Sequence, residues 1–297
     1  MIITKIKDGM GNQMFQYAIG RALSVKNNVS LGLDIDILLD HIYKRHHTFR
    51  DYYLDIFNIQ AEIVDRSKIP FIHKYYNKEH LSIIRFILKI LFRVKLKGKE
   101  ERFNLGFDPS ILSLGSDAFL DGYWQSEKYF IDIADIIRKD FTLKNEPPLV
   151  IKNLMEVIEK ENSLCIHIRR GDYIGNKDFE VVDKEYYNKA VNYMNSKTTI
   201  DKIYVFSDDI KWCKENMNFT FPFMFVEGEY IGAKDEWHHI LMRSCKNFII
   251  PNSTYAWWAA WLAPHKKKII VAPKKWFPDA SINKNYQDIV PEKWIKI

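Results

Sequence analysis

The segment from His167 to Tyr173 brings two adjacent arginines together with a histidine and an aspartate. The apolar residues 163–166 precede it and predict a short buried strand, so both arginines leave the carboxyl end of that strand. Open α/β sheets bind their ligands at this edge. Arg169 and Arg170 carry planar guanidinium groups that can clamp a phosphate through parallel hydrogen bonds. The segment therefore predicts an anion site, although an exposed turn with a local Arg–Asp pair accounts for its charges equally well.

Polar side chains also follow three other predicted strands of the second half. They are Ser207, Asp208 and Asp209 after one strand, Glu227 and Glu229 after the next, and Asn252, Ser253 and Thr254 before a tryptophan-rich helix. The free N–H groups and the dipole at the start of that helix favour a phosphate, whereas ordinary helix capping is the alternative role of these side chains. Because the carboxyl ends of parallel strands lie along one edge of a sheet, the four strand ends together predict a site for nucleotide phosphates.

Asp208 and Asp209 could also ligate a divalent metal together with those phosphates. Asp209 is equally well placed to cap the following helix, and the two arginines already supply positive charge. Hydrogen bonds from a ribose or a base are therefore the favoured role of the two carboxylates. The adjacent His238 and His239 lack the spacing of a helical two-histidine metal site, so no metal is expected.

Two glycines, Gly9 and Gly11, follow the first predicted strand and suggest a dinucleotide fingerprint. The third glycine of that pattern would fall at Met14, so the fingerprint fails. The turn still allows the backbone to approach a ligand closely. Asn12 and Gln13, at the start of the next helix, could donate or accept hydrogen bonds there.

The arrangement of predicted strands and helices indicates how these residues are held. In the second half, apolar strands alternate with helices and predict a doubly wound parallel sheet. The first half opens with a strand, a helix and a second strand. Pro147 and Pro148 break any continuing helix and place a linker near residue 146. We therefore predict an α/β chain of two Rossmann-like domains, 1–146 and 147–297, with the last residues free to pack back on the first domain.

The composition excludes several classes of protein. The chain has 297 residues, of which 47% are hydrophobic and 28% charged, as expected of a globular and not a disordered protein. No run reaches the roughly 18 to 20 uncharged apolar residues of a membrane span, and no signal peptide is expected. Three separated cysteines predict reduced thiols in a cytoplasmic protein. The net charge of +6 fits an anionic substrate or a membrane surface. No nucleic-acid-binding pattern is present, so nucleic acid is not an expected partner.

A basic stripe within residues 83–99 has two interpretations. Arg85, Lys89, Arg93 and Lys97 recur every four residues among apolar side chains, so a helix would present them along one face. Such a helix suits peripheral contact with an anionic membrane, on its inner face for a cytoplasmic enzyme. A core helix with a solvated basic edge is the alternative, and it is slightly favoured.

Five segments occur in the order found in one family and span nearly the whole chain. They are residues 9–18, 122–130, 167–173, 206–209 and 252–258. With them, the chain resembles the bacterial α-1,2-fucosyltransferases of glycosyltransferase family 11. The resemblance implies a GT-B fold, in which two Rossmann-like domains face each other across a cleft. It also implies inverting transfer of L-fucose from GDP-β-L-fucose to the 2-hydroxyl of a terminal galactoside, with neither metal nor other cofactor. The acceptor would be a galactose-terminated glycan, either free or lipid-linked, in oligosaccharide or O-antigen biosynthesis.

The same resemblance implies roles for single residues. Arg169 would contact the donor β-phosphate, His167 would lie near the guanine, and Asn12 would face the reaction centre. Arg170 would brace the loop through Asp172. The expected donor-binding residues are Gly11, Gln13, His167, Arg170, Asp172, Ser207, Asp208, Asp209, Asn252, Ser253 and Thr254.

Three departures from the family pattern concern the acceptor contacts and the catalytic base. Asp8 replaces a frequent glycine, the loop 175–180 differs from a common histidine-containing version, and histidines stand near position 238 where an acidic residue is usual. The general base is therefore open among Asp178, Glu180 and Glu127. Transfer of another nucleotide sugar or linkage, and non-catalytic binding of a nucleotide sugar or glycan, are the alternative functions.

Overall fold

The computed structural model describes residues 1–39, 51–65, 67, 106–176, 179, 181–232, 235–279, 282–283 and 287–297, and the backbone of 98–100. The chain divides into two compact units, Met1–Thr142 and Leu143–Ile297. The division falls just before the predicted linker at Pro147. Each unit contains a parallel sheet with helices between its strands, so the predicted α/β class with two Rossmann-like units is confirmed.

The first unit has a five-stranded sheet in the order β3-β2-β1-β5-β4, and all neighbouring strands are parallel. Its elements are β1 (Ile2–Lys5), α1 (Met10–Asn27), β2 (Leu31–Asp34), α2 (Asp36–Leu39), β3 (Glu62–Ile63), β4 (Gly98–Glu100), β5 (Ala118–Asp121) and α3 (Ala134–Asp140). β1 lies at the centre and all four of its residues are buried. α1 passes close to the sheet, because a Cβ at Gly20 would collide with Thr4 and lie 2.8 Å from Leu31.

The second unit has a six-stranded parallel sheet in the order β11-β10-β9-β6-β7-β8. Its strands are β6 (Ser163–Ile168), β7 (Lys202–Ser207), β8 (Phe223–Phe225), β9 (Asn247–Ile249), β10 (Ile270–Ala272) and β11 (Ile295–Lys296). Its helices are α4 (Leu149–Lys160), α5 (Lys184–Lys197), α6 (Ile210–Asn216), α7 (Glu236–Ser244) and α8 (Thr254–Leu262). β6 is buried along its whole length, as a central strand covered on both faces must be.

The end of the chain completes the second sheet. Ile295 and Lys296 pair in parallel with Val271 and Ala272 of β10. These residues therefore form an edge strand of the second unit. Packing of the last residues on the first domain stays a prediction.

Helix α8 is the core helix of the second unit. Trp257 and Trp258 are fully buried, and the Trp257 indole N–H donates to the carbonyl of Ile289 at 2.7 Å. Such a bond satisfies the one polar atom of a buried tryptophan. All three cysteines are also buried, and none forms a disulfide.

In the part of the chain that the structure describes, no helix has the length and apolar character needed to cross a membrane. Residues 83–97 of the predicted basic helix lie outside that part. Gly98 and Lys99 belong to β4, so the helix prediction is wrong at its carboxyl end and stays a prediction elsewhere.

Candidate active site

The order of the second sheet reverses beside β6. The chain runs from β6 outward through β7 and β8, then crosses to β9 on the other side of β6. Loops that leave neighbouring strands in opposite directions open a crevice, and open α/β sheets bind ligands at this switch point. The loop after β6 begins with Arg169, and the loop after β9 leads to Ser253. The two predicted phosphate-binding segments therefore flank the switch point of this unit.

Arg169 is held by two carboxylates. Its Nε and Nη2 donate to Asp172 Oδ1 at 3.0 and 2.6 Å, and its Nη1 lies 3.0 Å from Asp208 Oδ2. Burial opposes the charge, but Asp208 and Asp172 outweigh it and raise the pKa of the guanidinium. Asp208 reaches this position because residue 171 is glycine: a Cβ there would lie 2.5 Å from Asp208 Oδ2. From the sequence we expected Asp172 to brace Arg170, whereas the ion pair described for Asp172 is with Arg169.

Arg170 contacts a different set of groups. Its Nε lies 3.3 Å from Asp209 Oδ2, and its guanidinium lies 3.5 Å from the ring centroid of Trp212. The backbone N–H of Arg170 donates to Asp208 Oδ1 at 2.9 Å. Trp212 was missed from the sequence, because only the folded chain brings this first-turn residue of α6 over the arginine. Arg170 therefore ties the loop after β6 to the start of α6.

The two carboxylates that follow β7, those of Asp208 and Asp209, already form hydrogen bonds and ion pairs. Asp209 caps α6 by accepting the N–H of Trp212 at 3.1 Å, and the N–H of Asp209 itself donates to Ser207 Oγ at 3.0 Å. Asp208 serves both arginines. Within the described ranges, no group of three or more His, Cys, Asp or Glu side chains is placed to hold a metal ion. The geometry fits carboxylates that orient arginines better than carboxylates that coordinate a cation.

The start of α8 lacks a side-chain cap. Ser253 is the N-cap residue, yet its hydroxyl makes no capping hydrogen bond. Its side chain is buried, and Thr254 opens the first turn. The N–H groups of an uncapped first turn can receive an anion instead. Ordinary capping, the alternative considered from the sequence, is therefore not what the Ser253 hydroxyl does.

Asn252 has a different environment from the rest of this segment. Its Nδ2 donates to the carbonyls of Phe179 at 2.9 Å and Trp276 at 3.0 Å. Its own carbonyl accepts the Tyr173 hydroxyl at 2.9 Å. A side-chain amide has two N–H groups, so the side chain of Asn252 has none left for a phosphate. This differs from the donor-phosphate role that the resemblance implies for Asn252.

His167 is a buried, neutral side chain at the end of β6. Burial, with repulsion from Arg169 and His238, lowers the pKa of His167 to about 3. Its Nδ1 has no hydrogen-bond partner among the described residues, and its ring lies 5.7 Å from that of Tyr255 on α8. A neutral imidazole with an unused nitrogen can recognise a polar edge of a ligand.

Two further histidines lie in the core beside it. The Nε2 of His238 lies 2.9 Å from the carbonyl of Val226, and His239 packs against the ring of Tyr255 at 5.0 Å. Burial lowers the pKa of both imidazoles. The resemblance implies an acidic side chain near this position; the burial of both histidines suits packing and not proton transfer.

In the first unit, Asn12 and Gln13 have separate roles. Asn12 Oδ1 accepts a hydrogen bond from Gln125 Nε2 at 2.8 Å. Gln13 is fully buried, and its amide donates to the carbonyls of Asp8 and Asp51, both at 2.7 Å. Its Oε1 accepts the N–H of Tyr53 at 2.9 Å. Both ends of Gln13 are thus committed to loop contacts, so Gln13 supports the fold and is not available to the donor as expected.

The turn before α1 adopts an uncommon backbone conformation. Asp8 has φ of 64°, the left-handed region in which a glycine costs least. The resemblance implies a glycine at this position, and the structure shows a conformation that a glycine would adopt more readily. Gly11 is buried in the first turn of α1.

A charged cluster at the carboxyl edge of the first sheet was missed from the sequence. Asp121 at the end of β5 lies 3.4 Å from Lys5 Nζ and 2.9 Å from Lys7 Nζ. Lys7 also lies over the ring of Tyr123 at 4.8 Å. Each of these charged residues ends or follows a strand, and the sequence could have indicated them on that ground. It could not show that they pair, because their pairing depends on β1 lying next to β5 in the sheet.

Of the three candidate bases, only Glu127 is described. It begins a short 3-10 turn after β5 and is partly exposed. Asp178 and Glu180 lie outside the described residues. The identity of the base stays a prediction.

The sequence profile of the family described as Glycosyl transferase family 11 matches residues 1–297. The chain is 34% identical to an α-1,2-colitosyltransferase of Escherichia coli, over 100% of this chain and 99% of the relative. It is 33% identical to the O-antigen biosynthesis glycosyltransferase WbnK of Escherichia coli, over 98% and 99% of the two chains. A galactoside 2-α-L-fucosyltransferase of Caenorhabditis elegans is 23% identical, over 100% of this chain and 79% of that protein.

Among solved structures, the chain is similar to the NodZ α-1,6-fucosyltransferase soaked with GDP-fucose. The TM-score is 0.50 at 14% identity, covering 89% of this chain and 92% of that one. At this identity the likeness shows the fold alone. It agrees with the two parallel sheets described above and with the GT-B type that the resemblance implies.

Proposed function

The chain belongs to glycosyl transferase family 11, and from that premise we propose that it transfers L-fucose from GDP-β-L-fucose to the 2-hydroxyl of a terminal galactoside. The anomeric centre inverts, so a β-linked donor gives an α-1,2 linkage. Glycosyl transfer follows from the family itself. The donor, the acceptor and the linkage are the parts that we propose.

The main support for this proposal is the pair of carboxylates that hold Arg169 beside the switch point of the second sheet. Its guanidinium is fixed by Asp172 and Asp208 before any ligand arrives. A preorganised cation at a site of developing negative charge lowers the barrier without having to reorganise during the reaction. In fucosyl transfer this charge grows on the β-phosphate of the departing GDP, so we assign Arg169 to that phosphate.

The hydrogen-bond count of Arg169 is compatible with this assignment. A guanidinium has five N–H donors, and the described contacts with Asp172 and Asp208 involve one on each of its three nitrogens. Two N–H groups are then available for phosphate oxygens. The first turn of α8, which begins at Thr254, offers backbone N–H groups for the second phosphate.

The nucleoside would lie beside His167. Because the imidazole is neutral and its Nδ1 is unused in the described structure, it can pair with a polar edge of guanine without adding charge. Ser207 and Asp208, at the neighbouring strand end, are the proposed contacts for the ribose side of the donor. Each of these roles combines what the resemblance implies with the contacts described for that residue.

The acceptor hydroxyl attacks the anomeric carbon from the face opposite to GDP. A general base must take its proton, and a carboxylate is the natural candidate; Asp178, Glu180 and Glu127 are the proposed residues. Asn12 is proposed to face the reaction centre, as the resemblance implies, and the hydrogen bond from Gln125 Nε2 to its Oδ1 fixes the orientation of the amide. No step in this scheme needs a metal ion, so we propose that the enzyme requires none.

A second donor is favoured by one comparison. The full-length relative at 34% identity is an α-1,2-colitosyltransferase, so colitose is the alternative sugar for the same linkage. The arginine and the helix start would serve its nucleotide phosphates equally well. Contacts to the sugar ring would distinguish the two donors.

We further propose that the acceptor is a galactose-terminated glycan, either free or lipid-linked, in oligosaccharide or O-antigen assembly. The relative WbnK is described as an O-antigen biosynthesis glycosyltransferase, which supports this class of acceptor. An acceptor built on a lipid would place the enzyme in the cytoplasm at the inner face of the membrane. Peripheral contact through residues 83–99 is proposed on the sequence alone.

A competition between donors tests this proposal. The enzyme is incubated with equal amounts of GDP-fucose and GDP-colitose and a panel of galactosides, and products are separated by mass. We expect fucosylated galactosides to dominate. Dominant colitosyl products would support the second donor, while release of neither sugar with retained GDP binding would indicate a non-catalytic nucleotide-sugar binder.

A further inference from the structure

Three loops of the second unit meet at Asn252. This residue is 2% exposed and lies between β9 and α8. Its Nδ2 binds the carbonyl of Phe179 in the loop after β6 and that of Trp276 in the loop after β10. Its own carbonyl accepts the hydroxyl of Tyr173, which also belongs to the loop after β6. One buried residue thus connects the segments that follow three neighbouring strands.

The contacts fix the orientation of the Asn252 amide. If the amide were rotated by half a turn, Oδ1 would face the two carbonyl oxygens of Phe179 and Trp276 and repel both. Oδ1 itself is buried and has no hydrogen-bond partner among the described residues. A buried unpaired acceptor is costly, so the two donated bonds must compensate for it.

Aromatic contacts extend this connection to Arg169. The rings of Tyr173 and Phe179 are stacked at 5.3 Å with an interplanar angle of 24°, and Phe179 lies 6.1 Å from Phe277. The guanidinium of Arg169 lies 5.5 Å from the ring centroid of Tyr173. The ring that supports Arg169 is therefore the one whose hydroxyl binds Asn252.

We propose that Asn252 is a positioning residue that fixes the loop after β6, and through Tyr173 the guanidinium of Arg169, against the start of α8. The set formed by Asn252, Tyr173 and Phe179 is the clasp. The inference rests on the proposed function in one respect: it takes the purpose of the fixed loop to be the binding of the donor phosphate by Arg169. The clasp itself is a property of the fold and can be measured without a transferase assay.

Asn252→Ala and Tyr173→Phe each remove hydrogen bonds of the clasp, and the second leaves the stacked ring in place. Each variant is expected to lower kcat for donor turnover, by about 10- to 100-fold for Asn252→Ala, because small displacements of a catalytic group cost rates of this order. The KM for the donor changes less than kcat. The double variant is expected to be no slower than Asn252→Ala, since coupled residues are not additive. Asn218→Ala, at an exposed asparagine of the same unit, is the matched control and should behave as wild type.

Hydrogen exchange of the full-length protein, followed by mass spectrometry, reports on the clasp independently. The N–H groups of Tyr173 and Ile174 bind the carbonyl of Arg170 at 2.8 and 2.9 Å. In Asn252→Ala and Tyr173→Phe these amides should exchange about tenfold faster, because the loop opens more often.

Two results would overturn the inference. One is weaker GDP binding by Asn252→Ala with unchanged exchange, which would make Asn252 a direct phosphate ligand. The other is a Tyr173→Phe variant that matches wild type in both exchange and kcat. If Asn252→Ala does not fold, Tyr173→Phe alone decides. If wild type transfers no fucose, the exchange data still decide the clasp, so failure of the proposed function is recognised separately.

Discussion

Arg169 keeps its charge and its orientation through two carboxylates that come from different strand ends. Asp172 belongs to its own loop, whereas Asp208 follows the neighbouring strand β7. The raised pKa of the guanidinium shows that these partners outweigh its burial. A mobile arginine side chain loses conformational entropy when it binds a phosphate. The two carboxylates already order the side chain of Arg169, so this entropy is lost on folding and not on binding. The residue is therefore suited to act on a developing charge.

Replacing Arg169 with alanine is expected to lower kcat by about 100- to 1,000-fold, because one preorganised donor to the leaving-group oxygen is lost. The protein should stay folded, since the side chain is partly exposed. Turnover of GDP-fucose and the thermal unfolding midpoint are measured together. The exposed Arg138, replaced by alanine, is the control. Easy turnover by the Arg169 variant would contradict the assignment.

The lowered pKa of His167 predicts how the stability of the folded protein depends on pH. In the unfolded chain an imidazole has a pKa near 6.5, and burial in the folded protein lowers that of His167 to about 3. Between these values the unfolded chain binds the proton more tightly, so stability falls as pH drops below about 6.5. The unfolding midpoint of wild type should therefore fall between pH 7.5 and 5.5, and that of His167→Asn should fall less. An equal fall in both, with the partly exposed His265→Asn as control, would show that His167 is not the cause.

Helix α8 differs from α5 and α6 in that no side chain caps its first turn. In α5 the Asp183 carboxylate accepts the N–H of Tyr186 at 3.0 Å, and in α6 Asp209 does the same for Trp212. The hydroxyl of Ser253 makes no such bond. No side-chain cap therefore occupies the N–H groups at the start of α8, and α8 follows the strand beside the switch point, so these groups are available there for an anion.

Ser253→Ala tests this difference between helices. Because no capping bond is lost, its unfolding free energy should change by less than about 0.5 kcal/mol, while Asp183→Ala should lose about 1 kcal/mol. GDP binding, measured by calorimetry, should weaken in the Ser253 variant and not in the Asp183 variant. The reverse pattern would mean that Ser253 is an ordinary cap.

The elements of the second unit could be predicted from the sequence, and their side-chain partners could not. Apolar runs bounded by polar residues gave β6, β7 and β9 because buried parallel strands are apolar along their whole length. The partner of Arg169 depends on the order of strands: Asp208 is distant in the sequence and lies beside Arg169 only because β6 pairs with β7. The loop contacts of Gln13 also required the folded chain, since Asp51 and Tyr53 bind it from a distant segment.

On the scale of the whole molecule, the fold and the family agree. Two parallel sheets in separate units fit the predicted class, and the family match extends over the whole chain. The identity of the sugar and the acceptor could not be predicted in the same way. The departures from the family pattern, at Asp8 and in the loop 175–180, lie in the parts expected to contact the acceptor.

The whole enzyme is expected to work without a metal ion, because Arg169 and the start of α8 supply the positive potential that a cation supplies in other transferases. Initial rates with GDP-fucose should be the same in excess EDTA and in added magnesium or manganese. A strict requirement for a divalent ion would instead support the role of Asp208 and Asp209 as metal ligands.

The most direct test of the central claim is the structure of the product. Purified enzyme is given GDP-β-L-fucose and a galactose-terminated glycan, and the product is analysed by mass spectrometry and by NMR of the new linkage. We expect one added fucose, α-linked to the 2-hydroxyl of the terminal galactose. A β-anomer, a different hydroxyl, or no transfer to any galactoside would contradict it.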